Sequence, residues 1–155
     1  MSTNGTTTTK KPFQRLPKNV SVKHYRLTLE PDLVNLTFSG SEVVDIEIKE
    51  ETSKIVLNAV GLQVSGGEFK SSKNEGHSST NVYISKEEET LTITFEEALK
   101  PGAGQLHMTF SGILSERMKG FYRSKYTLNG EERWAAATQF ESTFARYAFP
   151  CWVII

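Results

Sequence analysis

Apolar and polar residues alternate with a period of two along most of this chain, a pattern that puts successive side chains on opposite faces of a β-sheet. The clearest example is 44–49, where Val44, Ile46 and Ile48 alternate with charged residues. The same alternation predicts long strands at 25–30, 90–96 and 105–111, and shorter strands at 54–58, 81–85, 120–123 and 133–139. No segment shows the 3.6-residue period of a long amphipathic helix.

Turn-forming residues separate these predicted strands. Asn129-Gly130 is the strongest short hairpin signal, because both residues tolerate the positive φ angles of a tight turn. Other predicted turns and loops are Pro31-Asp32, Gly66-Gly67, the polar stretch 71–80 and the segment 101–104. Short strands at this spacing predict an all-β fold, an antiparallel β-sandwich or a related sheet domain.

Length and composition narrow the functional classes. A chain of 155 residues holds one ordinary domain, and its first 11 residues, almost all Ser, Thr, Asn, Gly and Lys, predict a disordered tail. The 18 basic residues balance the 18 acidic residues, so no general positive field favours nucleic acid or an anionic membrane as a partner. Since there is no apolar run of about 20 residues and no apolar signal-peptide core, we expect a cytoplasmic protein.

The residue types that usually carry enzyme chemistry are scattered in this sequence. The three histidines, His24, His77 and His107, show no H-E-x-x-H spacing, and the last two are expected to be solvated. The one cysteine, Cys151, has no partner for a disulfide or for a Cys-rich zinc site. No G-x-S-x-G segment is present to indicate a serine hydrolase.

The segment 133–152 differs from ordinary sheet sequence. Gln139 and Glu141 are two residues apart, so both side chains would lie on one side of an extended segment. A carboxylate and an amide on one face could hold a cationic amine. On residue type alone, a solvated polar strand face is the simpler interpretation, and both interpretations stay open.

Four stretches of the sequence follow a recognisable family pattern. They read Phe-x-Arg-Leu-Pro at 13–17 with Tyr25 downstream, Leu-x-Pro-Asp at 29–32, Met-Lys-Gly-Phe-Tyr-Arg-Ser-Lys-Tyr at 118–126, and Thr-Gln-Phe-Glu through Ala-Arg to Phe-Pro-Cys-Trp at 138–152. On these residues the chain resembles the zinc aminopeptidases of the gluzincin type, in particular their puromycin-sensitive branch. The resemblance covers nearly the whole chain from Phe13.

The resemblance implies a fold and a role. In that family the corresponding region is the N-terminal β domain, a saddle-like sheet structure that covers the active site of a separate zinc domain. Residues matching Gln139 and Glu141 line the pocket for the first residue of the substrate, and the glutamate helps to bind its free α-amine. The implied partners are therefore peptide N-termini and a zinc catalytic domain or a full-length relative.

The family's catalytic motifs are missing from residues 1–155. Neither a G-A-M-E-N segment nor H-E-x-x-H occurs, so we expect this chain to be catalytically inert alone and to need no cofactor, zinc belonging to the full-length family. The family pattern also has an acidic residue in place of Phe144 and Asp-Glu-Pro in place of Val153-Ile154-Ile155. We therefore expect 12–155 to be an aminopeptidase N-terminal β domain that is truncated at its C-terminal end.

Two further hypotheses stay open. One is a non-catalytic peptide-binding or protein-binding module, a truncated regulatory form, which the retention of Gln139 and Glu141 would serve. The other is an unstable product without a function, because an incomplete sheet leaves unpaired strand edges and exposed apolar surface.

Overall fold

The computed structural model describes residues 15–153, so the predicted tail at 1–11 lies outside the described residues. Within this range the regular secondary structure consists of nine β-strands and one short 3-10 helix at Phe144–Tyr147. The strands are β1 (Val20–Asp32), β2 (Thr37–Ile48), β3 (Thr52–Asn58), β4 (Gln63–Ser71), β5 (Gly76–Ser85), β6 (Thr90–Leu99), β7 (Gly102–Ile113), β8 (Gly120–Leu128) and β9 (Glu131–Gln139). The prediction of an antiparallel all-β fold is confirmed.

Seven of the strands form one antiparallel sheet in the order β1-β2-β7-β4-β5-β6-β3. Strand β5 joins its two halves, since its first residues pair with β4 around His77 and its later residues pair with β6 around Val82. Because one strand serves both halves, the sheet curls and its inner faces meet. Ile93 of β6 then lies so close to Gly67 of β4 that an added methyl there would be 3.2 Å from it.

The inner face of the curled sheet forms the hydrophobic core. Val44, Ile46 and Ile48 of β2 are at most 1% exposed, as their alternation predicts. The apolar positions predicted on the other long strands also face this core, and these are Tyr25, Leu27, Leu29, Leu91, Ile93, Phe95, Leu106, Met108 and Phe110. None of the helices in residues 15–153 has the length and apolar character needed to cross a membrane.

The predicted turn at Gly66-Gly67 is wrong, because both glycines lie inside strand β4. The register between β4 and β7 shifts between Val64 and Gly67, which is a β-bulge, and Gly66 has a φ of 128° that glycine adopts without strain. The Gly67 amide donates a hydrogen bond to Ser79 Oγ at 2.9 Å. A bulge therefore explains both the glycine pair and the missing alternation.

Three other predicted turns or loops overlap with strands. Pro31 and Asp32 are the last residues of β1 and still pair with β2. The turn follows them, and the Asp32 carboxylate accepts hydrogen bonds from the Val34 and Asn35 amides. Gly102 already belongs to β7, and the polar stretch 71–80 contains the start of β5.

The predicted hairpin at Asn129-Gly130 is confirmed. These residues have φ angles of 52° and 78°, and they connect β8 to β9 in a second, two-stranded sheet. Two consecutive positive φ angles are typical of the tight turns whose twist matches that of the flanking strands.

A buried carboxyl group interrupts the core. Glu42 has the same strand phase as Val44, is only 2% exposed, and neither of its side-chain oxygens has a hydrogen-bond partner in the part of the chain that the structure describes. Burial raises the pKa of Glu42 to about 9. Burial first, and the nearby Glu42 carboxylate second, also raises the pKa of the Cys151 thiol to about 12.

The pKa of Glu42 makes stability depend on pH. Because the folded state keeps its proton up to about pH 9 and the unfolded chain loses it near 4.5, the folded state binds more protons in between. Stability therefore falls as the pH rises through this range. We expect Glu42→Met to be more stable than the wild type, with an advantage that grows by up to about 4 kcal/mol from pH 5 to pH 8.

Urea unfolding at both pH values measures this difference. Glu97→Met, at an exposed position of β6, is the matched control and should show no pH-dependent advantage. An advantage of Glu42→Met that is equal at pH 5 and pH 8 would contradict the assignment.

Candidate functional site

The hairpin of β8 and β9 carries the first of the two predicted site residues. Its strands pair from Leu128 with Glu131 at the turn to Gly120 with Gln139 at the other end, which we call the hairpin base. Gln139 is the last residue of β9 and its side chain is exposed. The regular pairing of nine residues per strand fixes the position of Gln139 beside Gly120.

Glu141 lies outside the strand. The chain leaves β9 after Gln139 and turns, so the two residues do not share one extended segment as the two-residue spacing suggested. A hydrogen bond joins them instead, because the Glu141 amide donates to Gln139 Oε1 at 2.9 Å. The peptide bond between Glu141 and Ser142 is cis.

This arrangement leaves one donor group beside one acceptor group. The amide oxygen of Gln139 is occupied, so its Nε2 donors remain, while the Glu141 carboxylate has no hydrogen-bond or ion-pair partner among residues 15–153. Both side chains are exposed to solvent. An exposed carboxylate gains only about 0–1 kcal/mol from a cation, so strong binding of an amine here requires a cover that excludes water.

Aromatic stacking fixes the turn on the core. The ring of Phe140, between the two site residues, packs edge-on against Phe149 at 5.7 Å between centroids, and Phe149 packs the same way against Tyr25. The amide of Phe144 also donates to the Phe140 carbonyl at 3.1 Å. The turn therefore rests on a chain of rings that reaches strand β1.

The segment after the turn docks on the end of β3. Asn58 and Cys151 exchange two backbone hydrogen bonds of 2.7 and 2.9 Å, and the side-chain oxygen of Asn58 accepts from the Val153 amide. Arg146 is 6% exposed, and its Nη1 atom lies 2.8 Å from the Glu89 carboxylate. These contacts tie the segment to the end of β3 and to the turn between β5 and β6.

The hairpin base packs directly on the 3-10 helix. Gly120 has a φ of 69°, and a Cβ atom there would lie 2.5 Å from the Cβ of Tyr147 and 2.9 Å from its carbonyl carbon. Next to it, the Lys119 ammonium sits 5.0 Å from the ring centre of Phe144, within the range of a cation–π contact. Only glycine fits this contact between hairpin and helix.

The three histidines do not form a site together. His24 and His107 are exposed, while His77 is partly buried and its ring packs 6.3 Å from that of Phe69. Across residues 15–153 no group of three or more His, Cys, Asp or Glu side chains could hold a metal ion. The residues described here therefore do not fit a zinc ion.

Sequence reasoning missed the residues that hold the site in position. Arg146 carried a readable signal, since a lone charge in the apolar run from Phe144 to Phe149 must find a buried counter-charge. Glu89 and Asn58 carried none, because their contacts with the C-terminal segment join positions far apart in the sequence.

Comparison with known protein families identifies the class of domain. Residues 21–152 match the Peptidase M1 N-terminal domain, so the chain belongs to the M1 peptidase family and corresponds to its N-terminal domain.

Individual relatives give the same assignment. The chain is 43% identical over 141 residues to aminopeptidase M1 of Arabidopsis thaliana, covering 89% of this chain and 16% of the relative. It is 37% identical over 140 residues to the puromycin-sensitive aminopeptidase of Caenorhabditis elegans, covering 90% and 15%, respectively. It is 39% identical over 142 residues to the alanine/arginine aminopeptidase of Saccharomyces cerevisiae, covering 88% and 16%. The chain thus spans about a sixth of the length of these relatives.

The packing at the hairpin base generates a stability prediction. We expect Gly120→Ala to destabilise the domain by about 2–4 kcal/mol, because it adds a left-handed backbone penalty of about 1–2 kcal/mol and an overpacked contact with Tyr147. Gly130→Ala is the matched control, since Gly130 also has a positive φ but no atom within 4 Å of an added Cβ. Gly130→Ala should lower the free energy of unfolding only by the backbone penalty. Urea unfolding followed by circular dichroism measures both, and equal losses would show that the contact with Tyr147 adds nothing.

Proposed function

We propose that this chain is the substrate-anchoring domain of a zinc-dependent aminopeptidase that removes N-terminal residues from peptides in the cytoplasm. In this proposal Gln139 and Glu141 hold the free N-terminus of the substrate. The observation that carries it is the unpaired carboxylate of Glu141 beside the free amide donors of Gln139, on a turn fixed to the core. Membership of the M1 family and the names of the aminopeptidase relatives support the reaction class.

The two side chains suit the two ends of a substrate's first residue. A protonated α-amine has three donors and no acceptor, so it matches the carboxylate oxygens of Glu141. The neighbouring carbonyl of the peptide accepts, so it matches the Nε2 donors of Gln139. An acetylated N-terminus has lost the charge and would no longer match Glu141, which would restrict the enzyme to free N-termini.

In this proposal substrate binding and the chemical step belong to different domains. Residues 15–153 offer no cluster for zinc, so the metal and the chemical step would belong to a catalytic domain that this chain does not span. That domain would cover Glu141 and exclude water, which makes its contact with the amine worth far more than on an exposed surface. The residues of this chain would bind and orient the substrate, and the chain alone would be inert.

We expect this chain alone to bind peptides with free N-termini no more tightly than about 1 mM, because the carboxylate stays exposed. The contribution of Glu141 is therefore best measured in a chimera, in which residues 15–152 replace the corresponding domain of a full-length M1 aminopeptidase. We expect Glu141→Gln to lower kcat/KM of the chimera about 10- to 100-fold on an aminoacyl substrate, the range of a charge-assisted hydrogen bond.

Glu132→Gln is the matched control in this chimera. Glu132 is also an exposed carboxylate of the hairpin and pairs with Lys125 at 2.9 Å, and its loss should leave kcat/KM unchanged. Equal effects of both variants would overturn the role of Glu141. Tight, Glu141-dependent binding of peptides by the isolated chain would instead favour the non-catalytic binding module.

A further inference from the structure

A groove that is separate from the hairpin base lies at the beginning of strand β1, and its lining includes Trp152. Its volume is about 270 Å³, near the lower end for small-ligand pockets. We call it the Trp152 groove. The apolar lining residues are Leu16, Pro17, Val20, Val22, Trp152 and Val153. The groove shares no lining residue with the hairpin base, so its chemistry is independent of Gln139 and Glu141.

The polar lining of the Trp152 groove has one sign of charge. Among the described residues, Arg15, Lys18 and Lys49 line it, no acidic residue does, and none of these three cations has an ion-pair partner. The acidic residue in register with the groove residue Ser21 is Glu47, and Lys23 neutralises it at 3.2 Å. Three cations beside an apolar surface attract an anion that also has an apolar part.

Two side chains of the groove also lack hydrogen-bond partners. The indole Nε1 of Trp152 and the Oγ of Ser21 are both covered from solvent and have no partner within residues 15–153. A buried donor without an acceptor is destabilising, so an acceptor brought within reach of either atom would be favoured. A carboxylate supplies acceptors only and therefore fits both the unpaired donors and the cations.

The walls of the groove are held in position before any ligand binds. The backbone amide of Trp152 donates to the Tyr25 hydroxyl at 2.9 Å, which fixes the backbone position from which the indole side chain extends. The amide of Lys49 donates to the Asn19 carbonyl at 2.7 Å, which joins the end of β2 to the start of β1. Preformed walls lower the entropy that a ligand must lose on binding.

We infer that the Trp152 groove binds an acidic peptide segment, in which a carboxylate contacts Arg15, Lys18 and Lys49 and an adjacent apolar side chain packs beside Trp152. The charge complementarity selects the carboxylate, and the apolar walls select its neighbour. The groove volume limits the contact to one or two side chains, so the affinity is modest and depends on salt.

The test uses the full chain with Trp134→Phe, which leaves Trp152 as the only tryptophan. The probe is a six-residue peptide of alternating Glu and Leu, acetylated at its N-terminus and amidated at its C-terminus, titrated while the fluorescence of Trp152 is followed. The acetyl cap removes the amine that Glu141 is proposed to hold, so failure here and failure of the proposed function are distinguishable. We expect a saturable change that weakens by about tenfold or more when Lys18→Glu and Lys49→Glu are combined.

Three controls decide between the outcomes. Lys100→Glu changes an exposed lysine outside the groove and should bind as the parent does. A Gln-Leu peptide of the same length should bind at least about tenfold more weakly, and a Lys-Leu peptide should not bind. Equal binding of the Glu-Leu and Gln-Leu peptides, no effect of the double charge reversal, or binding to vesicles with anionic lipid in place of the peptide would overturn the proposal.

Discussion

The structure depends on the joint between Asn58 and Cys151. Their two backbone hydrogen bonds return the chain to the large sheet after it has made the separate hairpin. The side chain of Asn58 strengthens the joint, since it donates to the Glu89 carbonyl and accepts from the Val153 amide. The β8 end of the hairpin is held separately, where the Arg123 amide donates to the Ser115 carbonyl at 3.0 Å. The joint thus fixes the turn that carries Glu141.

The same joint links the two surfaces discussed above. Phe149 packs against Phe140 at the hairpin base, and three residues later Trp152 forms part of the Trp152 groove. Between them, Cys151 and the ring of Tyr25 lie near the buried carboxyl group of Glu42. A short stretch of extended chain therefore has an exposed polar site at one end, a cationic groove at the other and an ionisable group beneath it. The hydrogen bonds and ring contacts of this stretch hold both surfaces in position.

The sequence predicted most of the large sheet, because strands with one buried face show their period directly. Val44, Leu91 and Leu106 have neighbours that alternate without interruption, and all three are fully buried. Strand β4 was missed because its bulge at Gly66-Gly67 breaks the period and mimics a turn. Glu42 was readable from its phase, since it lies two residues before Val44 on the buried face. The prediction that Gln139 and Glu141 form a binding site rested mainly on family resemblance, because the turn that joins them has no periodic signal. The joint at Asn58 pairs residues 93 positions apart in sequence, and a single sequence gives no local sign of such a contact.

The burial of Cys151 makes the joint observable in a way that none of its hydrogen bonds allows. Its thiol is only 3% exposed and its pKa is raised to about 12, so it is both covered and protonated at neutral pH. A thiol reagent can modify it only in molecules whose C-terminal segment has come off the sheet. As the chain has a single cysteine, the labelling rate counts these opening events without interference from other positions. The rate at which Cys151 is labelled thus measures how often the C-terminal segment detaches from the sheet.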